Sequence, residues 1–204
     1  MKSKYLSPDE VRALRSHLTA DEWLPLWVAA ETGLRIGDVV ALRRVSLKSD
    51  GIHFRAQKTK KAGVAPISAA LRRALGDRRG GWLFPSPYRA GAHLTRQAAW
   101  QRIKRAADRA GIDLDGCSPH SLRKSFAVEL YREHGFRAVQ DALQHANAAT
   151  SEIYAFADWS TGDNASLPLC RRDLQLIVKM VLEALGDTRQ VKPESRAKRG
   201  KGRA

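Results

Sequence analysis

The most informative stretch of the chain is Ser118-Pro119-His120-Ser121-Leu122-Arg123, because it predicts both a helix start and a group of polar side chains on one face. Ser118 is a favourable N-cap residue and proline suits the first helical position, so the stretch predicts the start of a helix. His120 and Arg123 are three residues apart and therefore share one face of that helix. A helix N-terminus carries partial positive charge and free backbone N–H groups, and an added imidazole and guanidinium make it suitable for a phosphate.

Further polar groups follow at fixed distances downstream, in Leu143-Gln144-His145 and at Tyr154. A tyrosine has a pKa of about 10, so only roughly one phenol in a thousand is ionised at pH 7. A tyrosine nucleophile therefore needs a base, or cations that favour its phenolate. Taken singly, Tyr154 is better explained as a packed or surface tyrosine and His120 as a capping histidine. Together, two histidines, an arginine and a phenol indicate phosphate chemistry.

The charge of the chain favours a polyanionic partner. Its 204 residues contain 36 Lys and Arg against 21 Asp and Glu, which gives a net charge of +15. Such an excess is typical of nucleic-acid binding. The alternative is a solvated basic surface or a disordered tail; segment 191–204 does contribute to the charge, but the body is basic without it. Two cysteines, Cys117 and Cys170, imply no disulfide framework and fit a reduced cytoplasm. No stretch approaches the ~20 apolar residues of a membrane span.

The pattern of apolar residues predicts a mainly helical α+β fold with a small antiparallel hairpin or three-stranded sheet at one edge. Capping boxes predict helix starts at Ser7 and Thr19, and Gly33 ends the second, very apolar helix. Further helices are expected from Ser68, from Thr95 to Ala110, from Pro119 to about His134 and from Phe136 to Leu143. Residues 52–55 predict a strand, and residues 64–67 predict its return strand across a turn at 57–63.

Arg35 lies in an unusual position, at the junction of two apolar helical segments. Burying a guanidinium is unfavourable unless an anion or a carboxylate satisfies it. The sequence leaves two partners open for Arg35, a bound phosphate or the side chains of Asp38 and Glu31.

Two regions outside this junction are rich in basic residues. The hairpin turn carries Lys58, Lys60 and Lys61, either as a solvated tip or as a mobile arm that reaches a phosphate. The helix from Thr95 carries a set of basic residues, which we interpret as contacts to the DNA backbone rather than a solvated surface. The members of that set are Arg96, Arg102, Lys104, Arg105 and Arg109.

The C-terminal part of the chain is interpreted as separate from the body. Residues 158–166 are polar and contain glycine, which is typical of a linker. The apolar residues between Leu174 and Leu185 repeat at helical spacing, so a helix over about 168–186 must bury one face on its own core or on another subunit. Residues 189–204 are predicted to be a basic disordered tail.

In this order, the motifs resemble the catalytic domain of tyrosine recombinases, the phage integrase family, from about Tyr5 to about Leu185, and we expect one such domain over residues 1–188. Thr32-Gly33-Leu34-Arg35 with Asp38 resembles the family's first-arginine motif. His120-Ser121-Leu122-Arg123 matches its H-x-x-R motif, and Leu143-Gln144-His145 matches its L-G-H motif with glutamine in place of glycine. Lys58, counted back from Pro66, best matches the hairpin lysine, with Lys60 as the fallback. Tyr154 has the family's spacing from His145 for the nucleophile.

The resemblance implies the role of each residue and a fold like the catalytic core of DNA breaking–rejoining enzymes. Arg35, Arg123 and His145 would bind the phosphate, His120 would act as general base towards Tyr154, and Lys58 would protonate the leaving 5′ oxygen. The product is a 3′-phosphotyrosyl link, formed without metal or other cofactor. We expect DNA contacts from Lys60, Lys61, Arg96, Arg102, Arg105 and Lys124.

The resemblance also implies that the partner is double-stranded DNA and that the protein is a homotetramer on DNA. In the absence of DNA a monomer is possible, and no association with a membrane is expected. It implies a bacterial or phage-encoded protein, cytoplasmic and associated with the nucleoid. The family places a helical core-binding domain before this one, and because the first helix begins by Ser7 we expect it to be missing, in a fragment or a stand-alone domain. A type IB topoisomerase, a telomere-resolving hairpin former and a non-cleaving DNA-binding regulator are the alternative functions.

Overall fold

The computed structural model describes residues 3–76 and 81–143 of the chain. They form six α-helices, one short 3₁₀ helix and three short strands. The predicted linker, C-terminal helix and basic tail lie outside the described residues, as do His145 and Tyr154. In chain order the elements are α1 (Pro8–Ser16), α2 (Ala20–Thr32), α3 (Ile36–Val40), a 3₁₀ helix (Arg44–Ser46), β1 (Leu47–Lys48), β2 (Gly51–Arg55), β3 (Ala62–Ala65), α4 (Ala69–Gly76), α5 (Arg96–Arg109) and α6 (Pro119–Leu143).

The first two helices begin where their capping boxes predict. Ser7 Oγ accepts from the Glu10 backbone N–H at 3.2 Å, while Glu10 accepts from the Ser7 N–H at 2.8 Å. Thr19 and Glu22 form the same reciprocal pair at the start of α2. Because each box satisfies backbone donors that a helix start leaves unpaired, local sequence is sufficient to set these two boundaries.

The core is built around α2, which is buried over most of its surface. The helix packs against α3, α4, α5 and α6, and these contacts explain its nearly continuous apolar sequence. Side chains from all six α-helices except the far part of α6, and from β2 and β3, join one hydrophobic cluster. Its fully enclosed members include Leu6, Leu14, Leu26, Val28, Ile52, Leu71, Leu83, Ile103 and Leu122.

The sheet is three-stranded and antiparallel, with the order β1–β2–β3. The predicted first strand is confirmed, but the predicted return strand at 64–67 is wrong at both ends. Arg55 pairs with Ala62, so the turn between the strands ends at residue 61 and not at the predicted residue 63. The strand ends at Ala65 because the next residue is Pro66, which has no N–H to donate to a neighbouring strand.

The helix α6 starts with a hydrogen bond between two serines. Ser121 Oγ accepts from the Ser118 N–H at 3.1 Å, which places Ser121 in the returning half of a capping box. The N-terminal segment of the chain is fastened to the same helix, because Ser125 Oγ accepts from the Leu6 N–H and donates to the Leu6 carbonyl. These bonds fix the orientation of the helix that carries His120 and Arg123.

The same helix changes direction sharply further along. Arg123 Nη2 lies 3.4 Å from the carbonyl oxygen of Leu143, twenty residues later in the chain. A straight helix of that length would separate the two positions by about 30 Å, far beyond the reach of an arginine side chain. The chain therefore folds back between them. Because Pro119–Leu143 forms one helical element, the predicted separation into a helix ending at about His134 and another beginning at Phe136 is wrong. This reversal returns the end of α6 to the place where it began.

No helix among the described residues is both long and apolar enough to cross a membrane.

Candidate active site

The turn between α2 and α3 presents Arg35. Gly33 caps α2 in the left-handed conformation, with φ of 64°, and its N–H bonds to the Ala29 carbonyl. Two residues later Arg35 is the N-cap of α3, and its carbonyl accepts from the N–H groups of Asp38 and Val39. The Arg35 side chain is half-buried. The predicted position between two helical segments is thus confirmed.

The backbone of this turn is bound by the second arginine. The Arg123 side chain is only 5% exposed, and it donates to the carbonyl oxygens of Gly33 and Leu143. Burying a guanidinium without partners would be strongly unfavourable, and carbonyl oxygens are effective acceptors for it. Arg123 therefore joins three distant parts of the chain, namely the turn after α2, the start of α6 and the end of α6.

A side chain at position 33 would not fit in this arrangement. A Cβ built on Gly33 would lie 2.4 Å from a ring carbon of Phe126 and 2.9 Å from a methyl carbon of Leu143. Glycine is required at this position by both the backbone conformation and the space.

His120 interacts electrostatically with both arginines. Desolvation, followed by the positive charges of Arg123 and Arg35, lowers the pKa of His120 below its ordinary value. At neutral pH the ring is therefore uncharged and can accept a proton, which is the state required of a general base.

The hairpin turn is attached to α3 by the acidic residue of the arginine motif. Asp38, which is 8% exposed, accepts from the Gln57 N–H at 2.9 Å, and Gln57 Nε2 donates to the Gly37 carbonyl at 3.2 Å. Glu31, the other carboxylate proposed for Arg35, accepts from the backbone N–H and hydroxyl of Ser68. Asp38 thus sets the position of the lysine-bearing turn relative to Arg35.

The turn itself has a well-defined backbone. Lys60 adopts the left-handed conformation with φ of 59°, which is uncommon for a residue with a side chain. Its N–H bonds to the Ala56 carbonyl at 2.8 Å, and its carbonyl accepts from Arg55 Nε at 3.0 Å. Lys58, the preferred candidate for the catalytic lysine, is exposed in this turn.

These elements meet at a small, partly enclosed pocket. Both arginines contribute to its wall, together with Asp38 and the threonine between the two lysines of the turn. The complete lining is Leu34, Arg35, Asp38, Phe54, Ala56, Thr59, Arg123, Ala142 and Leu143. Two cationic side chains that are far apart in the sequence thus converge with His120 close by, which is the arrangement that a bound phosphodiester needs.

The comparisons with known proteins agree with this geometry. A family model described as the phage integrase family matches residues 4–160. The chain belongs to the phage integrase family. Tyrosine recombinase XerD of Rhizobium meliloti (strain 1021) is 34% identical over 164 residues, which cover 75% of this chain and 50% of that protein. The chain spans about half the length of the curated relatives it matches.

Solved structures of recombinases share the fold of this phage integrase family member. The XerA recombinase has a TM-score of 0.62 and 27% identity, covering 79% of this chain and 65% of that one. A lambda integrase dimer bound to a COC′ core site has a TM-score of 0.64 at 19% identity, covering 76% of this chain and 48% of that one. The mainly helical fold with a three-stranded sheet is therefore the fold of this family.

The residues predicted to contact DNA occupy varied surroundings in the structure. The aliphatic stem of Arg96 lies over Gly37, 2.9 Å from where a Cβ would be, so Arg96 is next to the Arg35 motif. Arg105 pairs with Glu22 at 3.0 Å, and the same carboxylate acts on Arg102. Lys124 Nζ donates to the Ser3 carbonyl at 3.2 Å. Lys60 and Lys61 are exposed at the turn. Their contacts with DNA stay a prediction.

Sequence reasoning did not single out Thr59 or the carbonyl groups that hold Arg123. A hydroxyl between two lysines was the available signal for Thr59, whereas no sequence pattern reveals which carbonyls a buried arginine will reach. The structure describes no group of three His, Cys, Asp or Glu side chains in residues 3–76 and 81–143 that could hold a metal ion.

Proposed function

We propose that this chain is the catalytic part of a tyrosine-type site-specific recombinase that cleaves and rejoins double-stranded DNA. The observation that supports the proposal most directly is the convergence of Arg35 and Arg123 on one pocket, with His120 near both. Family membership and the positive net charge of +15 support the same substrate.

In the proposed reaction, Arg35 and Arg123 hold the non-bridging oxygens of the scissile phosphate, and His145 adds a further donor. Such preorganised donors are typically worth about 3–4 kcal/mol each in the transition state. The Tyr154 oxygen attacks phosphorus as its proton passes to His120. The bond from phosphorus to the 5′ oxygen breaks, and Lys58 gives a proton to that oxygen.

Rejoining of the DNA is proposed to follow by the reverse of the cleavage step. The 3′-phosphotyrosyl bond retains the energy of the phosphodiester, so a 5′ hydroxyl from another strand can attack it and restore the DNA backbone without ATP. Arg35 and Arg123 neutralise the phosphate throughout, so the reaction as proposed involves neither metal nor cofactor.

We further propose that the protein acts as a homotetramer on paired DNA sites, in the cytoplasm and with the nucleoid. The apolar stripe between Leu174 and Leu185 supports assembly, because such a face must be covered by a core or by another subunit. The dimer that lambda integrase forms on its core site is consistent with assembly on DNA.

A nicked duplex that loses its short 5′ fragment after cleavage tests this function by trapping the covalent product. We expect the wild-type chain to form a denaturant-resistant adduct with the DNA, and Tyr154→Phe to form none. Tyr88→Phe is the matched control, since Tyr88 is 91% exposed and lies in a loop before α5.

Adducts that persist in Tyr154→Phe would refute the assignment of the nucleophile. DNA binding without any adduct from the wild type would favour the regulator, and relaxation of supercoiled DNA by a monomer without recombinants would favour a topoisomerase.

A further inference from the structure

The hydroxyl of Thr59 is in a position that the proposed mechanism does not use. Thr59 Oγ1 is buried from solvent and has no hydrogen-bond partner among the described residues. Most buried hydroxyl groups in native structures are hydrogen-bonded, and leaving one unpaired typically costs about 1–3 kcal/mol. A hydroxyl kept in this state at the edge of a candidate active site requires an explanation.

The turn that holds Thr59 is firmly specified by its neighbours. Asp38 binds the backbone of Gln57 on one side, and Lys60 adopts the left-handed conformation on the other. For a residue with a Cβ, that conformation is less favourable by about 1–2 kcal/mol. The sequence therefore keeps two locally unfavourable features at adjacent positions, and such features are concentrated at binding and catalytic sites.

The pocket beside Thr59 indicates which kind of ligand atom could accept a hydrogen bond from its hydroxyl. Arg35 and Arg123 line the same pocket as Thr59, and its interior has room for about one water-sized atom. Arginine donates only, so an atom bound between the two arginines must be an acceptor, and two positive charges favour a negatively charged one. An oxygen of a phosphate group meets this requirement, and it would also accept from the threonine hydroxyl.

We propose that Thr59 Oγ1 donates a hydrogen bond to one non-bridging oxygen of the scissile phosphodiester held by Arg35 and Arg123. This rests on the proposed function, because it concerns the same phosphate. Thr59 is then a substrate-binding residue that acts beside the lysine of the hairpin. Among residues 3–76 and 81–143 its hydroxyl has no partner in the free protein, and a bound phosphate oxygen would supply one.

Two substitutions separate the hydroxyl from the shape of the side chain. Thr59→Val preserves the shape and removes the hydroxyl, and Thr59→Ser keeps the hydroxyl. We expect Thr59→Val to reduce the rate of adduct formation on the nicked duplex by about 10- to 100-fold, as for a hydrogen bond to a charged group. Thr59→Ser should stay within about threefold of the wild type. Thermal unfolding of Thr59→Val should be unchanged or shifted upwards, because an unpaired buried hydroxyl is replaced by a methyl group.

A stereospecific change in the DNA identifies the oxygen. Duplexes with a methylphosphonate of either configuration at the scissile position lack one or the other non-bridging oxygen. We expect the effect of Thr59→Val to disappear with one configuration and to persist with the other. An equal effect with both configurations and with normal DNA would show a structural role and overturn the proposal, as would a normal rate in Thr59→Val.

Phosphate binding tests the role of Thr59 independently of whether the protein cleaves DNA. If the wild type forms no adduct, binding of inorganic phosphate followed by NMR decides the role of Thr59. Weaker phosphate binding in Thr59→Val but not in Thr59→Ser supports the proposal even then. Equal binding by all three proteins overturns it.

Discussion

At the scale of single residues, the site depends on a glycine as much as on its charged groups. Gly33 lets the chain turn between α2 and α3, lies against Phe126 and Leu143, and offers its carbonyl to Arg123. The catalytic candidates Arg35 and Arg123 are thus linked through a residue with no side chain. A change at Gly33 should disturb the position of both arginines together.

We expect Gly33→Ala to lower the free energy of unfolding by at least about 2 kcal/mol, because the left-handed conformation and the overpacking both oppose a Cβ. Gly111→Ala is the control, since Gly111 has φ of 66° and nothing within 4 Å of the place where a Cβ would lie. It should be clearly less destabilising in urea unfolding. Equal losses in the two variants would show that the contacts with Phe126 and Leu143 contribute nothing.

The protonation of His120 is a second property of single residues that can be measured. Desolvation and the charges of Arg123 and Arg35 lower its pKa, so its NMR titration should have a midpoint below the usual 6.5. Arg35→Gln removes one charge and should raise that midpoint, whereas Arg73→Gln, an equal charge change at an exposed position of α4, should not. A midpoint at or above 6.5 in the wild type would contradict the charge arrangement.

The same titration has a consequence for stability. The folded protein binds this proton less readily than the unfolded chain, so part of its stability is present above pH 6.5 and is lost as the pH falls from there through the lower pKa of His120 in the folded state. A negatively charged phosphate in the pocket would oppose this effect and raise the pKa of His120.

At the scale of elements, the hairpin and α3 act as one unit because Asp38 joins them. The carboxylate accepts from the turn at Gln57 while its own backbone belongs to α3. The position of Lys58 relative to Arg35 therefore depends on this partly buried hydrogen bond, together with the bond from Gln57 Nε2 to the Gly37 carbonyl. This gives a physical role to the acidic residue of the arginine motif that does not require it to touch DNA.

We expect Asp38→Ala to speed hydrogen exchange at the Gln57 amide and to lower the free energy of unfolding by about 1–3 kcal/mol, since a buried bond to a charged group is lost. Adduct formation should fall as the lysine-bearing turn loses its attachment. Asp50→Ala removes an exposed carboxylate from the other end of β2, where it pairs only with His53 among the described contacts, and should leave both properties unchanged. Unaltered exchange at Gln57 in Asp38→Ala would refute the anchoring role.

The elements also show which features a sequence can predict. Capping boxes at Ser7 and Thr19 and the glycine at the end of α2 act through neighbouring residues, so the sequence predicts them correctly. The return strand begins and ends two residues earlier than its apolar pattern predicts, because its register depends on pairing with β2, which no local pattern encodes. The contacts of Arg123 with Gly33 and Leu143 require the reversal of α6, and the unpaired hydroxyl of Thr59 requires the assembled pocket. Both are tertiary features and lie beyond sequence reasoning.

At the scale of the whole molecule, positive charge is the property on which the proposed binding of DNA depends. The net charge of +15 attracts any polyanion, but only cations placed next to phosphates release counterions when DNA binds. The exposed Lys60 and Lys61 are next to the pocket lined by both arginines, whereas Arg12 and Arg73 are exposed on α1 and α4. The two pairs allow the effect of position to be separated from that of total charge.

We expect the logarithm of the DNA association constant to fall linearly with the logarithm of the salt concentration, by roughly 0.9 for each phosphate neutralised. The double variant Lys60→Gln with Lys61→Gln should reduce the magnitude of this slope by about 2, because two phosphate contacts are lost. The variant Arg12→Gln with Arg73→Gln has the same net charge and should keep a slope close to that of the wild type. Fluorescence anisotropy with a labelled duplex over a range of salt concentrations provides the measurement. If both double variants lower the slope equally, total charge rather than the hairpin governs binding, and the hairpin loses its proposed role in holding DNA over the pocket.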